Sequence, residues 1–196
     1  MDVETGAVMT IAAREPANDI RRALPAPARD GERLFYLWAS ATSAAGGVAV
    51  RDLSTDVERR ITTQTVGSYG LSPNGELLAI NEVRPDAGSD RRLTVIASSG
   101  AEPRALSPLV GQWTIRGPVE WSADSRFVFV VKMGARDLEV WQLPVDGSAP
   151  RDTGIRWSDS DSVLRISAHP NGTRVALSTL GTSFKTWALR NIPVQK

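Results

Sequence analysis

The chain of 196 residues carries 23 Lys and Arg against 22 Asp and Glu, a formal charge of +1, with 41% hydrophobic residues, one histidine and no cysteine. This composition supports a core and excludes wholesale disorder, and the balanced charge excludes a basic nucleic-acid binder. Without cysteine there are no disulfides, thiolate metal sites or Cys nucleophiles, and His169 alone leaves little for a zinc site or a histidine relay.

The first ten residues, MDVETGAVMT, lack the basic start, apolar run and small-residue cleavage site of a signal peptide. No run approaches the roughly 18 to 20 apolar residues that cross a bilayer. The segment is therefore expected to be soluble, periplasmic or cytoplasmic if bacterial, with no membrane insertion of its own. Asp2 to Gly6 reads as a polar turn, and residues 7–12, AVMTIA, as a strand. Glu15 to Leu24 is the best amphipathic helix candidate, with Ile20, Ala23 and Leu24, but Pro16 and Pro25 limit it to one or two turns.

From there one pattern recurs. Four turn-like tetrads, Ala28-Arg29-Asp30-Gly31, Ser72-Pro73-Asn74-Gly75, Ser122-Ala123-Asp124-Ser125 and His169-Pro170-Asn171-Gly172, end at intervals of 44, 50 and 47 residues. Asx followed by Gly tolerates positive φ, the chemistry of a tight hairpin turn. Ser125 stands where the other copies have Gly, so its turn must change conformation or bear a small strain.

Short apolar runs follow each turn: Leu34 to Trp38, Leu77 to Ile80, Phe127 to Val131 and Arg174 to Leu177. They are too short for buried helices and read as interior strands. Candidate strands precede the turns, clearest in Thr114 to Trp121 and Val163 to Ala168. A third strand follows in each unit, at 47–53, 93–97, 138–143 and 185–189, and a short fourth at 58–62 and 103–107, weaker at 150–153. Four antiparallel strands per unit of roughly 40 to 50 residues is the arithmetic of a β-propeller blade.

The fold class is therefore all-β: a β-propeller of four recognisable blades, at about 19–63, 64–109, 110–155 and 156–192. Residues 1–13 form an outer strand that completes a blade. That strand would either close a four-bladed ring with the fourth blade or belong to the preceding blade of a longer propeller.

The unit resembles the TolB-like, WD-repeat-like bacterial propellers, whose repeats place a W-S-P-D-G box before the second strand. Trp121-Ser122-Ala123-Asp124-Ser125 and Leu71-Ser72-Pro73-Asn74-Gly75 carry the match. The stretch from Ala168 to Asn191 is similar to the last blade of propellers in multidomain bacterial proteins. The resemblance implies a non-catalytic module for protein interaction or ligand sensing. It leaves open a detached gating propeller of a prolyl oligopeptidase-like hydrolase, or the sensory end of a Ser/Thr kinase or winged-helix regulator.

No G-x-S-x-G elbow accompanies His169, which occupies the repeat position of Ser72 and Ser122 and so reads as a turn residue. Asp159 to Ser162 has part of the spacing of a calcium loop but lacks its Gly and distal Glu. No catalytic residue, cofactor or metal is expected. Trp121, Trp141 and Trp187 read as repeat-equivalent core positions. Trp113 and Trp157 precede first strands, and with Arg116, Arg156 and Arg165 they make a possible binding rim. The expected partner is a protein or peptide, or a small ligand in the channel, and not nucleic acid.

Overall fold

The computed structural model describes residues 20–43, 45–83, 91–100, 104–106, 113–135, 137–158, 162–169, 174–180 and 184–190. The expected strand at 7–12 and the Asp159 to Asp161 acids lie outside them. All fifteen described elements are β-strands in four antiparallel sheets. Among the described residues no helix is long and apolar enough to cross a membrane.

The chain divides into two compact units, Met1–Thr63 and Gln64–Lys196. The first holds one sheet of β1 (Ile20–Pro27), β2 (Arg33–Ser40), β3 (Gly46–Asp52) and β4 (Glu58–Arg60), in that order. The described part of the Glu15 to Leu24 candidate, which its prolines limited to one or two helical turns, is extended in β1, paired to β2 from Ile20 to Pro27 with an irregularity between Ala23 and Ala26. Leu24 takes φ +52° there, so the strand absorbs Pro25 by bulging. Tyr36, Trp38 and Ala49 form a small core, with the Arg60 guanidinium 4.1 Å from the Trp38 ring centroid.

The second unit holds three sheets. The first is β5 (Val66–Leu71), β6 (Leu77–Val83), β7 (Arg91–Ala97) and β8 (Arg104–Ala105). The next is β9 (Ile115–Trp121), β10 (Phe127–Met133), β11 (Asp137–Pro144) and β12 (Arg151–Ser158). The last is β13 (Ser162–Ala168), β14 (Arg174–Leu180) and β15 (Phe184–Arg190). Each sheet pairs its strands in sequence order, and the first strands adjoin, β9 touching both β5 and β13.

The middle sheet is buried on both faces, which is why β10 reads as an almost unbroken apolar run, FVFVVKM. Val128 and Val130 pack with Ala79, Leu93, Val95 and Leu106 of the preceding sheet. Phe129 and Val131 point the other way and pack with Ile166, Val175 and Leu177 of the following one. Sheets stacked face to face with their first strands adjoining are consecutive blades of a β-propeller.

The turns before the second strands share one backbone bond. The N–H of Ala28, Ser72, Ser122 and His169 donates to the carbonyl five residues on, at 2.8 to 2.9 Å. The fourth residue, Gly31, Gly75 or Ser125, donates back to the first residue's carbonyl at 2.8 to 3.0 Å. Asn74 Oδ1 accepts from the Ser72 hydroxyl at 2.6 Å, as Asp124 does from Ser122 at 2.6 Å. The same two hydroxyls accept the N–H of Leu77 and Phe127 at 2.9 Å. The Ser-x-Asx box is thus a closed hydrogen-bond frame at Ser72 and Ser122, and of the fourth tetrad the His169 N–H to Arg174 carbonyl bond is described. Ser125 does not change conformation: its φ of +59° follows Gly31 at +73° and Gly75 at +76°.

Two further readings change. β12 runs the full length of Arg151–Ser158, so the expected boundary at 155/156 falls inside a strand. Arg156 and Trp157 therefore belong to the outer strand of the third blade, not to the approach to the next one. Trp141 and Trp187 are equivalent, facing Val130 and Leu177 on their neighbours, whereas Trp121 ends a first strand.

Candidate functional site

The third blade gathers most of the aromatic and charged side chains singled out above. Its β10–β11 hairpin places Lys132 opposite Glu139, and β12 places Arg156 opposite Glu139 on the other side. The Glu139 carboxylate is thus flanked by two cations, with Lys132 Nζ at 3.6 Å and Arg156 Nε at 3.8 Å. Trp141 Nε1 also donates to Glu139, at 2.7 Å.

Trp113, just ahead of β9, lies with its ring centroid 4.7 Å from that of Trp141 at an interplanar angle of 58°. The Lys132 ammonium is 4.9 Å from both ring centroids, a cation shared by two indoles. On the outer side Arg156 pairs with Asp152 and approaches Asp137 at 3.8 Å. The Arg156 guanidinium, through its hydrogen bond, holds the Asp152 carboxyl below the usual carboxylate range.

Of the five residues expected at a rim, two join this cluster, Trp113 through Trp141 and Lys132 and Arg156 through Glu139. Trp157 points to the opposite face of the sheet, against the core shared with the fourth blade. Its Nε1 is buried there without a hydrogen-bond partner among the described residues. Arg165 is exposed on β13 and acts on Glu120 of β9. Arg116 is placed by its backbone alone, paired with Val131. Burial pushes the Glu120 carboxyl up, although the Ala168 N–H and Arg165 favour its ionised form.

Lys132, Glu139 and Trp141 were not singled out as site residues. The signal was present as opposite charges flanking the short M-G-A-R-D-L hairpin, which pairs them across the ladder. Among the described residues no group of three or more His, Cys, Asp and Glu could hold a metal ion. Of the cluster's charged groups Arg156 is the most exposed, at 39%, whereas Glu139 is 15% exposed and held by Lys132, Arg156 and Trp141.

No protein-family model and no curated protein matches the chain. Solved structures do match. TolB from Acinetobacter baumannii is 13% identical, with a TM-score of 0.64 over 87% of this chain and 41% of that one. Oligogalacturonate lyase from Vibrio parahaemolyticus is 11% identical, with a TM-score of 0.65 over 93% of this chain and 57% of that one. A prolyl endopeptidase is 13% identical, with a TM-score of 0.63 over 88% of this chain and 28% of that one. The chain thus spans between 28% and 57% of the length of these three proteins. The fold is that of a TolB-like β-propeller, a scaffold these proteins put to different uses.

Proposed function

We propose that the chain is a non-catalytic propeller module that binds a protein or peptide, with the Trp113–Lys132–Glu139–Arg156 cluster of the third blade as its contact surface. The observation that carries the reading is the arrangement around Glu139. Each charged group there is paired, so none is set up as a nucleophile or a general base. Arg156 nonetheless stays 39% exposed and shares Glu139 with the Trp141 indole, and arginine and tryptophan are the side chains that anchor protein contacts.

The test probes an array of random-sequence peptides with the full chain and with R156E and W113A. Selective binding that both variants weaken, with unchanged folding, supports the proposal. Hydrolysis of chromogenic peptides or esters that H169Q abolishes contradicts it.

The likeness to a prolyl endopeptidase favours a second reading, a gating propeller detached from its hydrolase. On that reading the chain alone binds none of the array peptides and hydrolyses none of the chromogenic substrates.

A further inference from the structure

At the end of the third blade away from the Glu139 cluster, two turns line an open surface pocket of about 370 Å³. One is the Ser122 to Phe127 frame, and the other joins β11 to β12. Arg126 comes from the first and Arg151 from the second, with Phe127 and Pro144 as apolar wall. The Arg126 guanidinium sits 5.8 Å from the Phe127 ring centroid. Among the described residues neither Arg126 nor Arg151 forms an ion pair with a carboxylate.

One acid, Asp146, also lines the pocket, and its Oδ1 accepts the N–H and hydroxyl of Ser148 at 2.9 and 2.5 Å. Those two bonds hold its carboxylate over its own turn. Two guanidiniums against one carboxylate leave the pocket with an excess positive charge.

The geometry points to a carboxylate-binding pocket: Arg126 and Arg151 hold the C-terminal carboxylate of a peptide, and the Phe127–Pro144 wall receives its apolar last side chain. Each planar guanidinium offers two parallel N–H donors to a carboxylate, which a lysine pair would not. The volume falls at the lower end of the range for small-ligand sites and suits one or two residues. Both turns are pinned, one by the Ser-x-Asx frame and the other by Asp146, so the two arginines are presented from fixed backbone. The site is independent of the Glu139 cluster, because none of its residues belongs to that group.

The probe is N-acetyl-Leu-Phe with a free carboxylate, titrated into the isotopically labelled full chain and followed by amide NMR. Its C-terminal amide and inorganic phosphate serve as separate arms. Saturable shifts confined to residues 125–127 and 146–151 are expected with the acid and absent with the amide. R126Q and R151Q should each weaken binding at least about fivefold, as loss of one charged hydrogen-bonding partner requires. D146N should tighten it, since it removes the one repelling charge. All three side chains are at the surface, so unperturbed spectra elsewhere certify folding. Equal binding of acid and amide, binding unchanged in both arginine variants, or shifts with phosphate alone would each overturn the assignment.

Discussion

The backbone N–H of Asn74 donates to the Ser125 hydroxyl at 3.3 Å, joining equivalent turns of two successive blades. A glycine at position 125 could not make this bond. Ser125 holds a left-handed φ of +59° to do so, a conformation costing roughly 1–2 kcal/mol for a residue with a Cβ. The bond returns about 0.5–1.5 kcal/mol. S125A keeps the strain and loses the bond, so it should be less stable than wild type by about that second amount. S125G loses both and should lie near wild type. Urea unfolding measures the order, and S125A as stable as wild type would show that the link contributes nothing.

Close approach of β9 to β5 rests on Gly70. A Cβ at that position would lie 2.8 Å from the Val119 carbonyl oxygen and 3.2 Å from Trp121 Cδ1. Trp121 Nε1 donates to the Gly70 carbonyl at 2.8 Å across the same contact. G70A must push backbone from backbone, so a loss of about 1–3 kcal/mol is expected. A melting temperature equal to wild type would mean the two strands stand farther apart.

In the first unit, Glu58 accepts hydrogen bonds from the Tyr36 hydroxyl and from Arg22, the latter at 3.1 Å, with Arg51 at 4.0 Å. Burial pushes its carboxyl up, but these partners outweigh burial and hold it below its ordinary value. A depressed carboxyl contributes stability that is complete above the unfolded pKa of about 4.3 and is lost as pH falls through the lower folded value. E58Q should therefore cost about 1–3 kcal/mol at neutral pH, and its deficit should shrink below about pH 4. A deficit constant from pH 7 to pH 3 would contradict the ion-paired state.

Glu120 carries the opposite sign. Its carboxyl is raised by burial, so ionisation disfavours the folded state above the unfolded pKa of about 4.3 and has no such effect where both states are protonated. E120Q keeps an oxygen for the Ala168 N–H and sheds the charge. It should be more stable than wild type at pH 7, with the advantage vanishing as the solution is acidified. Denaturant midpoints at several pH values decide this, and a variant weaker than wild type at pH 7 would show that Arg165 dominates.

Strands at the centre of a blade were legible because both their faces are buried. Leu77–Val83 and Phe127–Met133 therefore carry continuous apolar runs. Outer strands are half solvated, which hides them: Arg151–Ser158, RDTGIRWS, alternates exposed and half-buried residues around a Gly at φ +76°. That concealment put Arg156 and Trp157 on the wrong element. β1 was obscured differently, by Pro25, which bounds a helix candidate and also suits an edge strand. The candidate cluster was half legible. Trp113 and Arg156 stood out as residue types, whereas Lys132 and Glu139 meet only through the hairpin register. Arg126 and Arg151 lie 25 residues apart, and only the adjacency of two turns brings them to one pocket.

That one unit folds four times over is tested most directly by amide hydrogen exchange on the full chain. The N–H groups of Ala28, Ser72, Ser122 and His169 should all be protected by their bonds across the turn, with Ala123 and Asp124 exchanging fast between them. Free exchange at any of the four, with neighbouring strands protected, would contradict a shared turn frame.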